Sequence, residues 1–390
     1  LQYITDSAAL AGFCDRLREH SSVALDTEFT TRSSYFPRLR LTQLAAGEAA
    51  AVVDCYQVKS LGPLLEILYD PGIEKVVHAG RQDLAIFARI TGKVPQPVFD
   101  TMLAAALVGY GPQVSYQALV ERITGKHLSK TESTSDWERP VLTRAQLRYA
   151  LEDVLWLPTV AEHLKERLAS LGRAAWSEEE QRRLVESPAL FPAEPEQQYL
   201  RIKDRKSLTP RAMGVLREMA AWRERVAQRE DRPRGWIIKD EVLVTLARRA
   251  AGQGEVPAEL LSGEEARYLP GLREAAKRGL AHPEAAHAAA PPGEDNGLVE
   301  LTTAFVRSRC LERNVAPTIV ATRDDLEVLC RALGNGGHAP DLPLLEGWRR
   351  ELVGEDLLAL LSGRLSLWVS RPSGRIRVAS RRVTEPEADQ

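Results

Sequence analysis

Apolar positions along the first 170 residues switch between two periods. After a short strand at Leu1 to Ile4, Leu10, Phe13, Cys14 and Leu17 recur at helical spacing and predict a helix capped near Thr5 to Ser7. Val23-Ala24-Leu25-Asp26-Thr27-Glu28-Phe29 is an apolar, β-prone run that ends in two carboxylates. With Leu39 to Leu44 and Ala50 to Asp54, separated by a turn at Gly47, it predicts a three-stranded antiparallel meander. Ser60 to Tyr69 reads as a short helix. Lys75 to His78 reads as a strand that passes through Ala79-Gly80 into a helix over Arg81 to Ile90. Phe99-Asp100-Thr101 opens an Ala- and Leu-rich helix through Val108, and Tyr116 to Ile123 is another. Thr143-Arg-Ala-Gln146 has the form of a capping box. It starts a helix towards Ser170 that Pro158 should kink or break, with Leu147, Ala150, Val154 and Leu157 as its packing face.

The second half is helical throughout. Residues 171–202 read as a charged connector ending in a Pro-rich turn around Phe191. Residues 203–282 form a unit with Leu216, Met219, Trp222, Ile237, Leu243 and Leu246 as core. Residues 283–297 are a Pro-, Gly- and Ala-rich linker. A second unit spans 298–373, with Leu326, Leu329, Trp348, Leu357 and Leu361 as core, and the Arg- and Glu-rich residues 374–390 are expected to be disordered. Trp-Arg pairs at 222 and 348, each followed by an acid-then-Leu run (240–246 and 355–361), suggest a divergent repeat.

Composition narrows the function classes. The chain has 390 residues, 44% hydrophobic, and no apolar run near the ~20 residues of a membrane span. The four cysteines contain no CxxC pair and the histidines no HExxH. That disfavours zinc and disulfide frameworks and points to a reducing cytoplasm. A net charge of −2 advertises no polyanion partner, but residues 201–249 hold 14 Lys or Arg against 7 Asp or Glu, the footprint expected of phosphate-backbone contact.

Candidate chemistry centres on the first half. Alternate strand residues face one side, so Asp26 and Glu28 share a face. Two carboxylates held there repel unless a proton or a hard cation such as Mg²⁺ or Mn²⁺ neutralises them. Asp-x-Glu recurs at Asp136-Trp-Glu138 and Asp325-Leu-Glu327, so the pair alone is weak. Asp83 opens a helix that follows a strand, and Tyr149 and Asp153 lie one helical turn apart. Four such acids can hold two divalent ions around a phosphodiester, with the tyrosine orienting water. The polar stretch 125–140, with Lys130 and Trp137, is a candidate for phosphate contact or base stacking.

These residues carry a resemblance. DTEF at 26–29, HAGRQDLAIF at 78–87 and YALEDVLWL at 149–157 resemble, in order, the three exonuclease motifs of the ribonuclease D family, in the Tyr subclass of DEDD 3′-to-5′ exonucleases. Residues 216–249 resemble a helicase-and-RNase-D C-terminal (HRDC) domain, and 298–373 resemble a second more weakly. The resemblance implies an RNase H-like α/β domain over residues 1–170, with a mixed five-stranded sheet flanked by helices, followed by two all-α HRDC bundles. It implies that Asp26 bridges two Mg²⁺ or Mn²⁺ ions, that Glu28 and Asp153 complete one site and Asp83 the other, and that Tyr149 positions the attacking water. Phe29, His78, Gln82, Lys130 and Trp137 become substrate-contact candidates. The implied activity is release of nucleoside 5′-monophosphates from RNA 3′ ends, tRNA precursor trailers and small structured RNAs above all, by a cytoplasmic monomer. A DNA exonuclease, and an inactive RNA-binding adaptor, are the alternatives. The adaptor predicts loss of an acid or of the tyrosine, and all five positions are present.

Overall fold

The computed structural model describes residues 2–128, 135–192, 194–283, 297–334, 337–371 and 375–380. In the first part, β1 (Gln2–Ile4), α1 (Ser7–Leu17), β2 (Ser22–Thr30), β3 (Arg38–Ala46), β4 (Ala49–Asp54), α2 (Gly62–Tyr69), β5 (Glu74–Val77), α3 (Arg81–Thr91) and β6 (Val98–Asp100) follow one another. Then come α4 (Thr101–Leu107), α5 (Tyr116–Thr124), α6 (Arg144–Leu155), α7 (Leu157–Ser170) and α8 (Ala174–Val185). The strands form one mixed sheet in the order β1-β4-β3-β2-β5-β6. The meander β2-β3-β4 is antiparallel, and β1, β5 and β6 join in parallel. The sheet has six strands rather than five. The sixth, β6, is three residues that run straight into α4, too short to show a period of its own.

Strand alternation sorts the core. Leu25, Leu44, Val53 and Val77 face α1, α2 and α3. Ala24, Ala45 and Val76 face α4, α5 and α7, and α6 lies over the same face beside them. The helix expected from 143 to 170 is interrupted at Trp156, because Pro158 lies in the first turn of α7 and leaves α6 to end at Leu155.

The second part begins with α9 (Pro210–Glu230), α10 (Arg234–Ile237), α11 (Asp240–Gln253) and α12 (Leu269–Ala281), around the expected core of Leu216, Met219, Ile237, Leu243 and Leu246. Trp222 is half-buried at its rim, edge-on to Tyr268. This unit grips the loop after β2. Tyr35 donates to Glu224, the Phe36 N–H donates to Asp231 at 3.1 Å, and Arg38 pairs with Asp231 at 3.1 Å.

The last part departs from expectation in three ways. After α13 (Leu298–Arg313), α14 (Pro317–Val320) and α15 (Arg323–Gly334), a helical segment runs through α16 (Gly347–Arg349), a π turn (Arg350–Gly354) and α17 (Glu355–Leu361). The chain then ends its described portion in a hairpin, β7 (Leu365–Ser370) and β8 (Arg375–Ser380). The second unit is therefore not all-α, and residues 375–380, expected to be disordered, are strand. Leu367, Ile376 and Val378 supply its buried side. Nor is the unit a separate body. Phe305, Trp348, Val353 and Leu357 belong to one continuous core with α4, α5 and α7. Finally, the repeat has another register. The order long helix, four-residue helix, helix is shared by α9-α10-α11 and α13-α14-α15. Both long helices end on a left-handed residue, Asp231 and Asn314. Trp348 instead stacks on Trp176 of α8, with ring centres 4.8 Å apart.

Candidate active site

β2 lies at the centre of the sheet, paired with β5 only over Ser22 to Ala24, so its C-terminal half, held by β3 alone, reaches past the end of β5. Asp26 and Glu28 point from it towards α6, and the pairing with β3 slips between Glu28 and Phe29, a bulge of the kind that re-aims side chains next to active sites. α6 is started by the expected capping box. The Thr143 hydroxyl accepts from the Gln146 N–H at 3.1 Å, and the Gln146 side chain accepts from the Thr143 N–H at 2.9 Å. That fixed start sets the helix over the meander and turns Tyr149 and Asp153 onto the strand end. One carboxylate oxygen from each of Asp26, Glu28 and Asp153 lies within 4.8 Å of the others, the one such group of metal-capable side chains among the described residues.

Asp83 stands outside this trio. It is buried at the start of α3, where Thr27, on the opposite side of β2 from Asp26, donates to it. The turn that carries it is locked by a residue that sequence reasoning treated only as a helix start. Asp100 accepts from the N–H groups of Ala79 (3.1 Å) and Gly80 (2.9 Å) while capping α4 through Met102 (2.8 Å). Gln181 of α8 holds Asp100's own backbone N–H at 2.8 Å. Ala79 has a left-handed backbone (φ 55°), and at Gly80 a Cβ would meet Val77 at 2.5 Å. Only the tertiary partners reveal this bracket.

The electrostatics of the acids agree with their crowding. Burial, then the charges of Asp83, Asp153 and Glu28, push Asp26 well above the usual carboxylate range. Burial, then Asp153 and Asp83, push Glu28 to about 8. Burial raises Asp83 to about 7 against the opposing hydrogen bond from Thr27, and Asp153 to about 7 against its bond from Tyr149. The Tyr149 phenol is itself raised, by burial and by the charges of Asp153, Glu28 and Asp26, so it stays protonated. An all-carboxylate donor set held in this state fits a hard divalent cation, which would offset the repulsion.

These shifts make stability depend on pH. Each of these acids has a folded pKa above its unfolded value of about 4. Without cations, their contribution to stability is full below that value and is lost as pH rises to about 8. The chelated protein should melt lower at pH 8.5 than at pH 6, and Mg²⁺ or Mn²⁺ should reverse this at pH 8.5 far more than at pH 6. Melts at both pH values, with and without cation, check it. A chelated melting temperature that rises with pH would contradict these protonation states.

The outlying candidates fare differently. Phe29 follows Glu28 across the bulge and is half-buried against the core that faces α1, α2 and α3, and Gln82 is exposed on the first turn of α3. His78 has both ring nitrogens engaged, with Thr101 at 2.9 Å and the Val114 carbonyl at 3.0 Å. It braces β5 against α4 and has no nitrogen left for substrate. Trp137 is 6% exposed, packed among Leu41, Val52, Leu142 and Leu147, with Arg40 donating to its carbonyl at 3.2 Å. It therefore offers no face for base stacking, and supports Tyr149 from behind, ring centres 6.5 Å apart. Lys130 lies outside the described residues. Sequence reasoning also missed Tyr116, whose hydroxyl joins the ends of α6 and α7 by accepting from the Trp156 N–H (3.1 Å) and donating to the Glu152 carbonyl (3.2 Å).

Comparison with known proteins agrees with this geometry. A 3′-5′ exonuclease family model matches residues 1–169, and the HRDC domain model matches residues 212–252. The chain is 39% identical to ribonuclease D of Granulibacter bethesdensis, over 94% of each chain. It is 37% identical to that of Nitrobacter hamburgensis, over 96% of this chain and 98% of the relative. Among solved structures, Escherichia coli RNase D, described as an exoribonuclease involved in structured RNA processing, superposes with a TM-score of 0.80 at 29% identity, covering 93% of this chain and 98% of that one. A sheet and helix that crowd three carboxylates together, an HRDC domain later in the chain and relatives matched over nearly their whole length place the chain in the ribonuclease D family of 3′-5′ exoribonucleases.

Proposed function

We propose that this protein trims RNA 3′ ends one nucleotide at a time at a two-cation site, releasing nucleoside 5′-monophosphates, with tRNA precursor trailers and other small structured RNAs as substrates. The observation that carries this reading is the convergence of Asp26, Glu28 and Asp153 on one point. Asp26, Glu28 and Asp153 would hold one Mg²⁺ or Mn²⁺ ion, and Asp26 with Asp83 the other. Bound there, the ions supply the positive charge that activates an attacking water and offsets charge on the leaving oxygen. Tyr149, kept protonated, orients that water by hydrogen bonding. Thr27 keeps Asp83 aimed at the site, and we assign the exposed part of Phe29 to contact with the terminal nucleoside.

The basic block contributes less than its count suggests. Arg223 is spent on Asp240, Arg225 on Glu196, Arg232 on Glu264 and Arg234 on Gln198 and Glu224. Exposed Lys203, Lys206 and Arg248, the last also donating to Ser207, instead line one cleft of about 380 Å³ with Asp204 and Glu241, and we assign the three cations to the RNA phosphates. We read α13-α14-α15 as a divergent HRDC copy, supported by the shared helix order, that has been recruited to the nuclease core. The four free thiols suit a reducing cytoplasm, and the chain is read as a monomer.

The test compares a 3′-extended tRNA, an unstructured RNA and single-stranded DNA as substrates. The extended tRNA should be trimmed fastest and DNA slowest, and equal rates on DNA would turn the reading to a general exonuclease. In the same series, the triple variant Lys203→Glu, Lys206→Glu, Arg248→Glu should bind tRNA more weakly. It should also flatten the slope of log affinity against log salt by about 0.7–0.9 per lost phosphate contact. An unchanged slope would remove the cleft from the RNA path.

A further inference from the structure

Gln43 is the buried polar side chain that neither the fold nor the proposed chemistry uses. It is fully buried on β3, and neither its Nε2 nor its Oε1 has a hydrogen-bond partner among the described residues. The nearby polar residues of β3 are satisfied or matched. Arg40, at the bulge, is paired with Asp54, and Thr42, on the opposite face, meets the Cys55 thiol at 3.3 Å. A buried amide with nothing to bond is destabilising, and an apolar residue of the same shape would sit better.

The sheet register says what the amide is beside. Gln43 is directly opposite Asp26 on β2 and opposite Val52 on β4. Directly opposed residues project to the same face with Cβ atoms about 4.5–5.5 Å apart, so Gln43 shares the α6-facing side with Asp26 and Glu28. On its own strand the same-face neighbours are Leu41 and Ala45, and Leu147 and Ala150 of α6 close over Leu41 and Val52. Of the four residues directly beside it on that face, Asp26, Val52, Leu41 and Ala45, Asp26 alone is polar, and Asp54, one diagonal step away, is already paired with Arg40.

We propose that Gln43 is a positioning residue for Asp26, its Nε2 donating to the Asp26 carboxylate when that group is ionised and holding a cation. The proposal rests on the cation-site reading above. It places in the sheet the outer partner that carboxylate ligands of metal sites ordinarily have. The donor is neutral, so it fixes the orientation of Asp26 without competing for the cation's charge.

The experiment measures Mn²⁺ binding to the full chain by calorimetry, and melting in chelator, for wild type, Gln43→Met and Gln43→Leu. Two shapes are used so that one poorly packed variant does not decide the matter. The expected result is a chelated melting temperature at or above wild type, together with Mn²⁺ affinity roughly 10- to 100-fold weaker. A purely structural role predicts the reverse, a lower melting temperature with Mn²⁺ affinity within twofold of wild type, and that result overturns the proposal. Absence of Mn²⁺ binding by wild type would overturn the cation site and this inference with it, a pattern distinct from equal binding by all three proteins.

Discussion

Asp26→Asn is expected to abolish 3′ trimming while leaving the chelated protein folded and, at pH 8, at least as stable as wild type. The two halves of this result have one cause. Asp26 is the acid that the charges of all three others push on, so replacing it with a neutral isostere relieves repulsion in the empty site. The same replacement removes the carboxylate that both cations would share. Loss of an outer partner to a metal ligand typically costs about 10- to 100-fold in affinity or activity, and loss of the shared ligand should exceed the upper end of that range. Turnover, and melting in chelator at pH 8, are measured on the same preparation. Turnover within tenfold of wild type would displace Asp26 from the centre of the site. A large drop in the chelated melting temperature would mean that the residue supports the fold instead.

Glu180→Ala is expected to destabilise the whole chain by about 3–5 kcal/mol, the range for removing one partner of a buried ion pair. Glu180 on α8 and Arg349 on α16 are 6% exposed each. The pair is bidentate, at 2.5 and 2.7 Å, and the Trp348 indole N–H also donates to Glu180 at 3.0 Å. Removing the carboxylate leaves the buried guanidinium with the Ile319 carbonyl at 2.8 Å and the more distant Glu179 carboxylate at 3.6 Å. Replacing both partners, as Glu180→Leu with Arg349→Met, should recover most of the loss, because an apolar pair strands no charge. Denaturant melts of the single and double variants check both statements. A loss below about 1 kcal/mol for Glu180→Ala, the scale of an exposed pair, would mean that this contact does not hold the C-terminal unit on the nuclease domain.

That docking is also where sequence reading ended. The acids of the three motifs were legible because each sits on one regular element. Alternation put Asp26 and Glu28 on one face, a capping box started the helix of Tyr149 and Asp153, and Asp83 followed a strand directly. The residues that hold those elements to one another were not legible. Asp100 and Gln181 meet across 81 positions, and Gln43 gains its meaning only from the register that sets it against Asp26. Trp137 lies in a polar stretch and reads as exposed, yet its ring is buried among Leu41, Val52, Leu142 and Leu147, contacts that no local pattern shows. The pattern LSLWVS at 365–370 alternates as a half-buried strand does, but its place after a long helical stretch masked it. Trp348 matched Trp222 by its Arg neighbour, whereas packing matched it to Trp176, which no local period could show.

The most direct test of the central claim follows a 5′-labelled RNA with a 3′ extension, incubated with the full chain. The acid cluster predicts a ladder that shortens from the 3′ end by single nucleotides in Mg²⁺ or Mn²⁺, stops on addition of chelator and resumes when the cation is restored in excess. Trimming that continues undiminished in chelator would contradict a cation-dependent site built on Asp26, Glu28 and Asp153, as would fragments arising from internal cuts.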